Sequence, residues 1–264
     1  PYIGYKDAVN KKCNQKNLGT IKSSNLCTEI SLYSDDKQYA VCNLASIALP
    51  KYVKYDESGN PSFDFEHLRS VSEYIIGPMN DVIDNNHYPV PETKTSNMRH
   101  RPIGIGVQGL ADVFYMFKTP FDSELARSLN KKIFEAIHFG ALSASTELAK
   151  KEYTKMSVDG CDKRSGSYPA YLINGGSPLA NDKFHWELYG LEEKNLSGLF
   201  DWKTLRDHIK IFGVRNSLLT ALMPTASTSH LNGNVECFEP LTSNMYKRKV
   251  LSGEFIIINK YMVR

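Results

Sequence analysis

A single long helical pattern limits the architectures open to this chain. Between Asp122 and Lys151, apolar residues recur at helical spacing through Leu125, Leu129, Ile133, Ile137, Leu142 and Leu148, and Asp122-Ser123 supplies side-chain oxygens that can cap the first turn. A second helix is expected from Asp64 to about Asp84 through Phe65, Leu68, Val71, Ile75, Met79 and Val82, with Gly77-Pro78 expected to kink or divide it. Both read as scaffold. Short apolar runs interleave with them: Tyr39 to Leu49 around Cys42, Leu218 to Met223, and Phe255 to Ile258 read as strands or strand-loop junctions. Strand alternating with helix gives an α/β fold class. Residues 152–200 carry Gly160, Gly166, Pro169, Gly175, Gly176 and Pro178 without a sustained period, and read as a surface excursion.

Composition removes several classes of function. Of 264 residues, 41% are hydrophobic, which is ample for a buried core in one large or two small domains. A net charge of +3 with both signs intermingled gives no footprint for nucleic acid, although mild basicity suits a phosphate-bearing substrate. No apolar run is long enough to cross a membrane and no signal peptide opens the chain, so a cytoplasmic address is expected. The five cysteines, Cys13, Cys27, Cys42, Cys161 and Cys237, are odd in number and form no C-x-x-C pair, which argues against a zinc or disulfide scaffold and for a reducing compartment. The histidines lack metal-ligand spacing, so no metal site is expected, and His230 reads as a surface or supporting residue.

Three short motifs can carry chemistry. In Asn25-Leu26-Cys27-Thr28-Glu29 an amide, a thiol and a carboxyl occupy every second position, and an extended backbone would place them on one face. A thiol can be oxidised to a thiyl radical, a carboxylate can exchange a proton and an amide can hold a hydroxyl. By itself such a run is more often a packed thiol beside a solvated acid. Pro224-Thr225-Ala226-Ser227-Thr228 follows an apolar run, and a Thr/Ser-rich turn opening a helix offers free backbone N–H groups to an anion, or is a plain N-cap. Gly104-Ile105-Gly106-Val107-Gln108-Gly109 fits a dinucleotide fingerprint, but the polar, basic residues Asn97 to Arg101 precede it. Those glycines read instead as close backbone packing in a strand.

Taken together and in order, the motifs resemble a known family. Asn14-Gln15-Lys16-Asn17-Leu18-Gly19-Thr20-Ile21, Ser24 to Ile30, Val41 to Ser46, Tyr88-Pro89-Val90-Pro91, Arg99 to Asp112, Gly213-Val214-Arg215-Asn216 and Met223 to Thr228 look like the large (alpha) subunit of class I ribonucleotide reductase. The resemblance fails only around residues 151–200. It implies part of a ten-stranded α/β barrel with Cys27 on a finger loop, and reduction of ribonucleoside diphosphates to 2′-deoxyribonucleoside diphosphates. Cys27 is then the thiyl radical, Glu29 the general base, Asn25 the group holding substrate hydroxyls, and Cys42 one redox-active thiol whose partner lies upstream. Thr225, Ala226, Ser227 and Thr228 take the substrate diphosphate, in one pocket with Asn25, Cys27 and Glu29.

The implied partners are a small (beta) subunit that generates the radical at a metal cofactor, thioredoxin or glutaredoxin as reductant, and the remainder of the large subunit. ATP or deoxynucleotide effectors act at places outside these residues, and no cofactor is expected on the chain itself. Beginning at Pro1 and ending at Arg264, the chain reads as an internal fragment that is inactive in isolation. A cobalamin-dependent reductase and a catalytically silent structural segment are the alternatives.

Overall fold

The computed structural model describes residues 3–156 and 161–261. In chain order the elements are α1 (Lys6–Lys12), β1 (Asn43–Ala48), β2 (Val53–Tyr55), β3 (Pro61–Phe63), α2 (Phe65–Asn85), α3 (Pro91–His100), β4 (Ile103–Gln108), α4 (Leu110–Met116), α5 (Glu124–Lys155), α6 (His185–Leu188), α7 (Trp202–Phe212), α8 (Ala226–Leu231), β5 (Met245–Val250) and β6 (Gly253–Ile258). They fall into two compact units, one from Pro1–Ser46, Phe65–Gly106 and Lys131–Met223, the other from Ile47–Asp64, Val107–Asn130 and Pro224–Arg264. The class is α/β. The described strands form three two-stranded sheets, β1 with β4, β2 with β3, and β5 with β6, and no closed barrel.

In the first unit the expected strand at Leu218 to Met223 is an extended run alongside β4. The Ile103 and Ile105 amides donate to the Leu218 and Leu219 carbonyls at 2.9 Å each, Ala221 donates back to Ile105 at 3.1 Å, and Ile105 and Thr220 form a parallel bridge. Every residue of β4 is buried. A Cβ on Gly104 would lie 2.7 Å from Leu44 and 2.8 Å from Ala221, and one on Gly106 would lie 2.7 Å from the Ala221 carbonyl oxygen. Gly104 and Gly106 therefore let β4 lie close against the Leu218 to Met223 run and the Leu44 side chain.

α2 differs from its expected form. It continues through Pro78 as one 21-residue helix, at the loss of the bond that the Pro78 nitrogen cannot donate. Its buried face runs through Leu68, Ser72, Ile76, Asn80 and Ile83, whereas Val82 is exposed. Apolar periodicity misplaced this face because two polar residues turn inward. Asn80 accepts from Arg101 Nε at 3.0 Å and exchanges amide hydrogen bonds with Asn216 at 3.1 and 3.2 Å. Arg101, 2% exposed, closes a bidentate pair with Asp84 at 2.6 and 2.8 Å. Ser145 donates to Asn216 at 2.9 Å, which ties α5 into the same network.

α5 runs as the periodicity predicts, capped by Ser123, whose Oγ accepts from the Ala126 amide at 3.1 Å. Leu129, Ile133, Ile137 and Leu142 are buried, and Leu125 is exposed. A Cβ on Gly140 would run into the Arg69 carbonyl oxygen, so this glycine allows α5 to pack against α2.

The surface excursion expected over residues 152–200 is one only in part: residues 187–200 are exposed or half-buried, whereas residues between 166 and 186 contribute to the core. Short 3-10 turns and α6 bury Tyr168, Ala170, Tyr171, Phe184 and Trp186. Phe184 stacks on Trp186 with centroids 4.4 Å apart, and Trp186 meets Trp202 edge-on at 4.3 Å. The Trp202 indole donates to Glu135 of α5 at 2.9 Å. The core of this stretch is aromatic and built from turns, which is why no period announced it.

The second unit holds the β2–β3 hairpin, α4, α8 and the antiparallel β5–β6 hairpin, paired from Met245 opposite Ile258 to Val250 opposite Gly253. Gly109 adopts the left-handed conformation at the N-terminus of α4 (φ 78°), and a Cβ there would lie 2.7 Å from Pro50.

Candidate active site

The Asn25 to Glu29 segment is not extended. Residues 25–30 form a tight loop in which Asn25 and Ile30 exchange bonds: the Asn25 amide donates to the Ile30 carbonyl at 3.3 Å, and the Ile30 amide donates to Asn25 Oδ1 at 3.1 Å. The Thr28 amide donates to the Asn25 carbonyl at 3.1 Å. Thr28 itself sits in the left-handed region (φ 63°), unfavourable for a β-branched residue. Alternation therefore does not gather the three groups on one face. Glu29 lines a cleft of about 360 Å³ with Lys12, Cys13, Thr28, Cys42 and Asn43. Asn25 lines a separate cavity of about 180 Å³ with Ser24, Ser34, Tyr39 and Cys42. Cys27 is exposed at the turn of the loop.

Cys42 is common to both cavities. Partial burial, then the neighbouring Glu29 carboxylate and then the Cys27 thiol, push its thiol above the ordinary cysteine range. It is accessible, as repeated reduction demands, but less acidic than a typical redox thiol. The Glu29 atom Oε2 is buried and has no hydrogen-bond partner among the described residues. A buried carboxylate oxygen in a cleft without a partner is disposed to accept a hydrogen bond from whatever enters.

Residues that sequence reasoning missed make up the walls. Asn43, next to Cys42, is buried and donates to Asn97 Oδ1 and to the Pro102 carbonyl at 2.8 Å each, which fixes the start of β1. Lys12 places its ammonium 4.3 Å from the Tyr189 ring centroid, both of them lining the cleft. Cys13 also lines it, bonded through Sγ to the Ser31 carbonyl at 3.4 Å, and burial pushes its thiol up to about 11. Asn43 lies within the Val41 to Ser46 motif without standing out in it, and Lys12 and Cys13 lie in no motif. The left-handed Thr28 leaves no signal in sequence at all.

The turn at Thr225 to Thr228 belongs to the second unit. Thr225 is buried at the N-cap of α8, and its Oγ1 accepts from the Cys237 amide at 2.8 Å. Thr228 donates its hydroxyl to the Thr225 carbonyl at 3.0 Å. The amides of Ala226, Ser227 and Thr228 are first-turn donors that a helix leaves without internal acceptors, and these three residues are exposed. His230 contacts Glu236 Oε1 at 3.0 Å and is half-buried. Among the described residues, no group of three His, Cys, Asp or Glu side chains is placed to hold a metal ion, and no helix is long and apolar enough to cross a membrane.

The α/β fold carries two accessible thiols, Cys27 on its loop and Cys42 just before β1, with the Glu29 carboxylate close enough to Cys42 to raise its pKa. The chain belongs to the ribonucleotide reductase family: the family's barrel domain matches residues 1–264. It is 51% identical over 265 residues to the ribonucleoside-diphosphate reductase large chain 2 of Saccharomyces cerevisiae, with all of this chain and 28% of the relative covered. It is 50% identical over 278 residues to the large subunit of Arabidopsis thaliana, covering 32% of it. To that of Acanthamoeba polyphaga mimivirus it is 47% identical over 264 residues, covering 28%. In both of these matches the whole of this chain is covered. The chain thus spans about 30% of the length of such relatives.

Proposed function

We propose that this chain is the segment of a ribonucleoside-diphosphate reductase large subunit that performs the sugar chemistry, reducing ribonucleoside diphosphates to 2′-deoxyribonucleoside diphosphates. The observation that carries the reading is the closed loop of residues 25–30. It exposes Cys27, and the adjoining cleft holds the unpartnered Glu29 oxygen together with Cys42. As a thiyl radical, Cys27 removes the 3′-hydrogen and becomes a thiol, while Glu29 takes the 3′-hydroxyl proton. The 2′-hydroxyl takes a proton from the dithiol formed by Cys42 and its partner and departs as water, the second hydrogen of that dithiol goes to C2′, and Glu29 returns its proton to the 3′-oxygen. Cys42 and a partner thiol outside this chain supply two electrons and become a disulfide, and Cys27 returns its hydrogen to C3′, restoring the radical. Thr225, Ala226, Ser227 and Thr228 are assigned to the diphosphate through the first-turn amides of α8 and the neighbouring hydroxyls.

The radical comes from a small subunit with its metal cofactor, thioredoxin or glutaredoxin reduces the disulfide, and ATP or deoxynucleotides act elsewhere in the large subunit. The test is Cys27→Ser in the complete reductase. Serine keeps the size but forms no comparable radical, so turnover should vanish while the dissociation constant for the nucleoside diphosphate changes by no more than about twofold. Binding lost in proportion to turnover would make Cys27 a structural residue and sink the reading.

A further inference from the structure

We infer that residues 10–15, at the end of α1 and just beyond it, grip both ends of the segment that carries Cys27, and that Asn10 and Gln15 are positioning residues for that thiol. At the leading end the Asn10 side chain pairs with Ile21 as a neighbouring strand would. The Ile21 amide donates to Asn10 Oδ1 at 2.8 Å, and Asn10 Nδ2 donates to the Ile21 carbonyl at 2.9 Å. At the trailing end the Tyr33 amide donates to Gln15 Oε1 at 2.8 Å, and Cys13 Sγ donates to the Ser31 carbonyl at 3.4 Å. These bonds also settle how the two side-chain amides are turned, because a backbone N–H must face the oxygen and a carbonyl must face the nitrogen.

The grip is itself anchored. Gln15 is 1% exposed, and its Nε2 donates to Ser217 Oγ at 2.9 Å, while Asn14 donates to the Ser217 carbonyl at 2.8 Å and accepts from the Leu179 amide at 3.1 Å. Ser217 directly precedes the run that lies along β4, so Tyr33 is tied through Gln15 to that buried wall. No residue of α1 is buried, and the helix is held to the loop through these polar contacts. Ile21 and Leu32 are buried, whereas Leu26 and Cys27 between them are exposed. The loop closed by Asn25 and Ile30 is thus a small ring on a stem. The ring's own bonds keep its shape, and the held stem sets where the ring, with Glu29, stands against Cys42. Hydrogen-atom transfer needs the reacting atoms in near contact, and a displacement of about 1 Å costs on the order of 100-fold in rate. That catalytic consequence rests on the function proposed above, whereas the grip does not.

Gln15→Met keeps the length of the side chain and removes both of its hydrogen bonds. In the complete, reduced reductase the Tyr33 amide should then exchange with deuterium roughly three- to tenfold faster than in the parent. The position of the ring is read at Cys42, whose thiolate fraction the Glu29 carboxylate lowers. Glu29→Gln should accelerate Cys42 alkylation on the order of a few-fold in the parent, and by a clearly smaller factor in Gln15→Met, where the carboxylate has moved away. Turnover of Gln15→Met should fall roughly 10- to 100-fold in kcat, with KM changed by no more than about twofold. Unchanged Tyr33 exchange overturns the grip. The same Glu29→Gln factor in both backgrounds, or a parent-like kcat, overturns the positioning role and leaves Gln15 a support of the fold alone. If Gln15→Met fails to fold, Asn10→Leu, on a helix with no buried residue, must show the same three changes with Ile21 in place of Tyr33. Retained turnover in Cys27→Ser would remove the function proposed above, while exchange and alkylation would still decide the grip.

Discussion

At the scale of single residues, charge decides how reactive the thiols are. The Glu29 carboxylate is the second cause, after burial, of the raised Cys42 pKa, so at any pH below that pKa it lowers the thiolate fraction. Cys42 alkylation by iodoacetamide should therefore rise with pH through and beyond the usual cysteine range. Glu29→Gln should accelerate it on the order of a few-fold at pH 8 by removing the negative charge. Peptide-level mass spectrometry of the alkylated chain checks this, and an equal or slower rate in Glu29→Gln would remove Glu29 from the surroundings of Cys42. Asn25, Cys27, Glu29 and Cys42 stand out in sequence because they sit in family-like motifs. Their mutual placement was not legible. Alternation assumes extended backbone, and the Ile30 amide instead finds the Asn25 side chain, which bends the segment into a ring.

Elements were legible where one energetic term dominated. The α5 stripe came out as expected because its buried positions are apolar and its cap is a serine. The α2 face did not, because Asn80 and Ser72 are buried to serve hydrogen bonds that hydrophobicity cannot register. α3 makes a related point with a measurable consequence. Its last residue, His100, is buried, and Nε2 lies 2.7 Å from Gln38 Oε1, while Nδ1 has no partner among the described residues. Burial first, and then the Arg99 charge, push its pKa from 6.5 to about 4. A base with a depressed folded pKa is neutral in the native state and protonates more readily when unfolded. Its contribution is thus complete above pH 6.5 and lost as pH falls from 6.5 towards 4, amounting to on the order of 3 kcal/mol. His138, pushed to about 3 by burial and by His185, acts in the same direction. Urea unfolding at intervals from pH 7 to pH 4 should show stability declining across this window. In His100→Gln the decline should be shallower by about one proton. An unchanged slope would mean that His100 is protonated in the folded chain.

For the whole molecule, the lesson of residues 166–186 is that composition rich in glycine and proline does not imply surface. Tyr168, Tyr171, Phe184 and Trp186 form core through turns, a mode of burial with no period to detect. The opposite case is the β5–β6 hairpin, whose apolar residues read as a strand but are not covered within the described chain. Met245 is 63% exposed, Ile256 70% and Ile258 55%, and the pairing of Met245 with Ile258 and of Lys247 with Ile256 puts all three on one side of the ribbon. A two-stranded ribbon has two open edges as well as this face, a combination that templates association. The isolated chain should therefore self-associate with rising concentration in sedimentation velocity. Ile256→Glu combined with Ile258→Lys should shift it towards monomer. The carboxylate introduced by the first change would face Lys247 across the ladder, a favourable pair, and the ammonium introduced by the second would face Met245, whose neighbourhood is already solvated. Because neither position contributes much buried area, the midpoint of urea unfolding should move by no more than about 0.5 kcal/mol in equivalent stability. A weight-average mass identical to that of the parent at every concentration would place the association surface, if one exists, elsewhere on the chain.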